Sequence, residues 1–231
     1  MPSPAAPRPV RDGVSIGVAV GLVGIAFGVL AESEGLSVAK ACALSLLVFT
    51  GASQFAAVSV LGSGGSLAAA LGSALLLAAR NGLYGPVVAR WLVDDPAPRR
   101  AVMTQLVIDE STAVGAAQPT AAQSRTGFLA GGLAVYVCWN LGTLVGALGG
   151  AALGDTDAWG LDAAFPAAFV ALLAPHVRRR PGQVAAVTAA AVCIAGMPVL
   201  PAGVPVLLAV LGIVPAAWVA RRDESSAGAA T

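Results

Sequence analysis

The sequence predicts an all-α, polytopic membrane bundle of six to eight hydrophobic segments, and three observations lead there. Of the 231 residues, 57% are hydrophobic and only 11% are charged, too little polar surface for a water-soluble domain of this length. Runs of about 20 mostly apolar residues, the length that crosses roughly 30 Å of hydrocarbon, recur from one end of the chain to the other. The separators are short and rich in turn chemistry, and open sheet edges cannot be satisfied in lipid, so the runs must be helices.

Eight tracts carry the pattern: Gly13 to Ala31, Val38 to Leu61, Leu67 to Val93, Ala101 to Ala117, Gly127 to Leu153, Ala163 to Pro175, Val184 to Val199 and Val204 to Ala220. The first follows Arg8 and Arg11 and ends in "VLA", which mimics a signal peptide. It is long enough to span and more spans follow, so no cleavage is expected. Between the tracts lie "GSGGS" at 62 to 66, "DDPAPRR" at 94 to 100, "GDTDAWGLD" at 154 to 162, "RRRPG" at 178 to 182 and "LPAGVP" at 200 to 205. These breaks divide one transmembrane domain, 1 to 231, with polar tails at 1 to 10 and 223 to 231.

Orientation follows from the basic residues of short loops. Arg8, Arg11, Arg178, Arg179, Arg180, Arg221 and Arg222 place both termini in the cytoplasm, with Asp155, Asp157 and Asp162 outside. Eight simple crossings would leave Arg90, Arg99 and Arg100 outside. Six crossings, with the second and fourth tracts entering and returning on one side, put every basic loop in the cytoplasm. The alternative for those two tracts is a break inside a spanning helix.

They are also the two tracts with polar centres. "LLVFTGASQF" at 46 to 55 sets Thr50, Ser53 and Gln54 around Gly51, and "VIDEST" at 107 to 112 carries Asp109 and Glu110. Of thirteen basic and twelve acidic side chains, only Arg80, Asp109 and Glu110 lie away from tails, loops and tract ends. An ionisable group at the centre of a membrane helix costs at least about 2.5 to 3.5 kcal/mol and marks a functional site by default. The competing structural readings are a simple Arg80–acid staple, a surface-lying helix for the acids, and close helix packing for Gly51 and Ser53.

Other function classes fall away. No basic cluster tracks nucleic-acid phosphates. Cys42, Cys138 and Cys193 lie apart in apolar tracts and read as small buried side chains, and no zinc, nucleotide or haem motif implies a cofactor. Adjacent Asp109 and Glu110 do not make an aspartyl-protease pair, and His176 and Lys40 sit at tract edges, so no enzyme is expected. Arginine outnumbers lysine twelve to one, as in GC-rich bacterial genomes.

"FTGASQFAAVSVL" at 49 to 61, "RNGLYGPVVARWL" at 80 to 92 and "VIDESTAV" at 107 to 114, in this order, resemble the AzlC family, the large subunit of two-component branched-chain amino acid exporters. The hydropathy profile is similar over nearly the whole chain; beyond residue 126 the likeness is mainly hydropathy plus "YVCWN" at 136 to 140. Asn81-Gly82 departs from the family, whose members often carry bulkier or more basic residues there, and the family is usually described with seven spans.

The resemblance implies export of neutral aliphatic amino acids across a bacterial plasma membrane, driven by proton exchange, together with a small AzlD-type membrane subunit. A zwitterion in a low-dielectric site needs both charges answered. A half-helix starting near Gly51 would turn its N–H groups to the carboxylate, with Ser53 and Gln54 completing the cradle and Thr50 capping. Asp109 or Glu110 would hold the ammonium or carry the proton, the other acid pairing with Arg80, which could instead bind the carboxylate bidentately. Asn81, Tyr84 and, beside Trp139, Asn140 complete the candidate substrate-binding set. The alternatives are a passive channel or a structural membrane subunit without its own substrate site; homo-oligomerisation is left open by the sequence.

Overall fold

In a computed structural model of the chain, the described residues are 8–153, 170, 173–174, 176–201 and 204–228. Most of the sixth apolar tract, the acidic 154–162 loop with Trp159, and Pro166 and Pro175 lie outside the described residues. Every described element is helical: α1 Pro9–Ser33, α2 Val38–Val48, α3 Ala52–Gly62, α4 Leu67–Trp91, α5 Ala97–Met103, α6 Asp109–Ala116, α7 Ala121–Leu153, α8 Arg180–Gly196, α9 Val204–Leu208 and α10 Ile213–Gly228. Short 3-10 turns occupy Thr104–Leu106, His176–Arg178 and Ala209–Gly212.

Among the described residues, four runs are long and apolar enough to cross a membrane: Pro9–Ser33, Leu67–Trp91, Ala121–Ala152 and the nearly continuous Val204–Asp223. The second and fourth apolar tracts are different. Each resolves into two short pieces, α2 with α3 and α5 with α6, separated by non-helical residues.

The chain divides into two compact units, Met1–Phe55 with Leu75–Thr156, and Ala56–Ala74 with Asp157–Thr231. The first is built on α1 and α7. A Cβ on Gly13, Gly17, Gly21 or Gly24 would lie 2.7, 2.7, 2.9 and 2.7 Å from atoms of Gly131, Ala134, Cys138 and Trp139 in turn. Both series ascend, so the two helices run parallel with their backbones in contact. Lipid offers no hydrophobic drive between helices, and bare backbone surfaces gain their attraction from close van der Waals packing.

α6 runs antiparallel to α7: a Cβ on Gly115 would lie 3.0 Å from the Ser124 carbonyl, and one on Gly131 3.5 Å from Ser111 Cα. α4 runs with α6, since Arg80 meets Asp109 and the Trp91 ring meets Gly115. Val88, Leu92, Met103 and Phe128 form a buried cluster at that end. There Asp95 accepts hydrogen bonds from Arg125 Nε at 3.0 Å and Nη2 at 2.9 Å, tying the start of the α5–α6 segment to the start of α7.

In the second unit, α3 closes with Gly64 at φ 78°, where the Gly65 N–H reaches the Val60 carbonyl and the Gly64 N–H that of Leu61. This is a Schellman stop that glycine makes without strain. Val60, Ala69 and Ala70 are buried together. α8 packs on the 209–212 turn, where a Cβ on Gly212 would lie 2.8 Å from the Ala185 carbonyl.

Candidate functional site

α2 stops because two residues in quick succession leave the helical region. Phe49 sits at φ 35°, ψ 55°, and Gly51 at φ 55°. The left-handed conformation costs an L-residue roughly 1–2 kcal/mol, so the surroundings must hold Phe49 there. They do: its ring packs edge-on against Tyr136 with centroids 4.8 Å apart. The last carbonyls of a helix need donors from elsewhere, and two side chains distant in sequence provide them. Gln105 Nε2 donates to the Leu46 and Leu47 carbonyls, each at 3.2 Å, and the Tyr136 hydroxyl donates to Leu46 at 3.1 Å.

α3 restarts at once. The Gly51 N–H donates to Gln54 Oε1 at 3.1 Å, while the Gly51 carbonyl accepts from the Gln54 and Phe55 amides. This is the reciprocal half of a capping box, with the third helical residue reaching back to the cap. The Thr50 and Ser53 hydroxyls are hydrogen-bonded to each other. Gln54 is wholly buried, yet its Nε2 has no protein partner. Trp139 lies against Gly51, stacked on Phe27 at 5.8 Å and edge-on to Phe55 at 6.2 Å, with its indole N–H also unpartnered.

The second break repeats the device. After the 3-10 turn, Val107 and Ile108 are extended and α6 begins at Asp109. The Ile108 N–H donates to Ser111 Oγ at 3.2 Å, and Ser111 Oγ–H donates to the Leu106 carbonyl. Asp109 and Glu110 therefore occupy the first turn of a helix, where the positive end of the macrodipole favours carboxylates. Arg80 Nη1 lies 2.9 Å from Asp109 Oδ2, and the Tyr84 phenol lies beside the same carboxylate. Asp109 Oδ1 is buried with no protein partner.

Between the two breaks and α4 lies a cleft of about 370 Å³. Phe49 and Thr50 line it from the first break, Gln105 and Val107 from the second, and Asn81, Gly82 and Gly85 from α4. Asn81 Oδ1 is a further buried oxygen without a protein partner.

Of the sequence-predicted residues, Thr50 and Asn81 meet in this cleft, and Arg80, Tyr84 and Asp109 form a cluster on the same helix and break. Arg80 takes Asp109 as its partner, leaving Glu110 half-buried at the second position of α6. Gly51, Ser53 and Gln54 build the start of α3. Asn140 stands apart from the cleft: its Nδ2 donates to the Tyr136 carbonyl one turn earlier at 2.7 Å. Sequence reasoning missed Gln105 and Tyr136. An amide four residues before Asp109 in an apolar tract was the available hint.

Apolar helices of crossing length, together with two broken apolar tracts around a polar-edged cleft, define an integral membrane protein. A family model described as AzlC protein matches residues 15–153, and the chain belongs to the AzlC family. The matched span contains every candidate site residue. The chain is 34% identical over 176 residues, 75% of its own length and 76% of the relative's, to a protein of Archaeoglobus fulgidus described as an uncharacterized membrane protein. No solved structure matches it. Family membership gives the chain a membrane transport-related role.

Proposed function

We propose that this protein is the large subunit of a secondary transporter that exports branched-chain or similar neutral aliphatic amino acids by proton-coupled exchange, working with a small AzlD-type subunit. The observation that carries the reading is the cleft between two helix breaks, with the Arg80–Asp109 pair beside it. Irregular backbone at membrane depth survives only where it is buried in protein or lines a wet cavity, and secondary transporters place solutes at such interrupted helices. Thr50 and Asn81 would contact the solute in the cleft. The start of α3 at Gly51 would face its carboxylate, and Asp109, with one oxygen on Arg80 and one open, would exchange the proton, Glu110 standing next to it.

The same reading orders the chain in the membrane. Asp95, just after α4, is bound to Arg125, just inside α7, which supports a course in which the α5–α6 segment enters and returns on one side. The parallel course of α1 and α7, with α4 opposed to them, supports a return by α2–α3 as well. Six full crossings then leave Arg8, Arg11, Arg90, Arg99 and Arg100 on one face, the cytoplasmic one by the positive-inside rule, with both termini there, in a bacterial plasma membrane.

The test loads vesicles holding this chain, with and without its small partner, and follows efflux of labelled leucine, isoleucine and valine under an imposed pH gradient. Saturable, gradient-dependent efflux lost in Asp109→Asn and Arg80→Ala is the expected result. Non-saturable leak, or efflux indifferent to both substitutions, defeats the assignment.

A further inference from the structure

We infer that Gly82 and Gly85 set the width of the cleft and thereby the size of solute side chain it admits. This rests on the transport reading above. Both glycines line the cleft, and a Cβ built on either would meet no atom within 4 Å. Neither has the positive φ that would demand glycine. They contrast with the glycines of α1, where a Cβ would lie within 3.0 Å of α7 backbone. Glycine inside a helix lowers its stability relative to alanine, and Pro86, next along α4, removes a further helical hydrogen bond. Three helix-weakening residues thus crowd one stretch, and packing among the described residues of this chain requires neither glycine. What these two positions supply is empty volume, one turn apart, on the face that the solute would occupy.

The experiment compares the full chain with its small partner in vesicles, using Gly82→Ala, Gly85→Ala and Gly85→Val, and alanine, valine and leucine as the probe solutes. A methylene too many in a fitted apolar pocket is worth about 10- to 200-fold in discrimination. Gly85→Val is therefore expected to lower leucine efflux about tenfold more than alanine efflux, with the alanine variants shifted the same way to a lesser degree. The alanine variants are expected to be at least as heat-stable as the parent, which a packing role would not allow. Equal loss for all three solutes, or no loss, overturns the inference while the transport reading stands. A parent chain that moves none of them overturns both. Independently of transport, Gly82→Cys and Gly85→Cys, made with Cys42, Cys138 and Cys193 replaced by serine, are expected to react with a small charged thiol reagent in the vesicles. Failure of both to react overturns the open space itself.

Discussion

Arg80 Nη1 and Asp109 Oδ2, 2.9 Å apart, join the middle of α4 to the first residue of α6. Removing either partner breaks the direct ion pair, leaving Arg80 with only the neighbouring Glu110 as counter-charge, and Asp109 already has one buried oxygen with no protein partner. Arg80→Ala and Asp109→Asn should each lower thermal stability in detergent. The double variant should fall short of the sum by a coupling of about 0.5–3 kcal/mol. Strict additivity would mean that the two groups do not act as a pair.

The first break depends on donors that reach across the unit. Leu46 and Leu47 carbonyls both accept from Gln105, and Leu46 also from Tyr136. Gln105→Leu should cost about 1–3 kcal/mol by leaving a carbonyl without its donor. Tyr136→Phe should cost less, because the Leu46 carbonyl keeps Gln105. The order of melting temperatures checks this: reversed, Gln105 is not the principal cap.

Gly51 at φ 55° should tolerate Asn better than Val. Asn enters the left-handed region with local hydrogen-bonding help, whereas a branched side chain bears a penalty of roughly 1–2 kcal/mol or more. Equal melting temperatures for the two variants would indicate that the break relaxes.

Acid should weaken the Asp95 anchor. The Arg125 guanidinium hydrogen-bonded to it holds the Asp95 carboxyl below the usual carboxylate range. A group whose pKa is depressed on folding adds stability above its unfolded pKa and loses it as pH falls through the folded value. Heat stability of the parent should therefore decline across the acid range below the ordinary Asp pKa of about 3.9, more steeply than that of Asp95→Asn. Parallel acid profiles would remove the anchor from the account.

Much of this architecture is legible in the amino acids, and the part that is not has a physical reason. Hydropathy marks α1 and α4 to within a few residues because lipid-facing helices must be apolar along their length. The break at Gly51 is legible because a glycine among hydroxyls and an amide has no place in an uninterrupted apolar helix. The break before Asp109 is harder: Val107 and Ile108 are ordinary strand-prone residues, and the cue is Ser111 at the third helical position. The capping roles of Gln105 and Tyr136 are not legible, since bonds to carbonyls 58 and 90 residues away leave no local pattern; an amide in an apolar tract and an aromatic in "YVCWN" mark only the positions. Asn140, polar and mid-helix, does not line the cleft; its amide nitrogen bonds its own helix while its buried Oδ1 has no protein partner.

The parallel seam between α1 and α7 has a consequence for biosynthesis. The glycine edge of α1 meets Thr143 and Ala147 only when a stretch more than a hundred residues downstream has been made. At about 5–20 residues per second, the nascent first span waits on the order of 10 s with its narrow, bare side against lipid or the insertion machinery. Assembly of this half of the molecule is thus set by arrival of the late helix rather than by the order of translation.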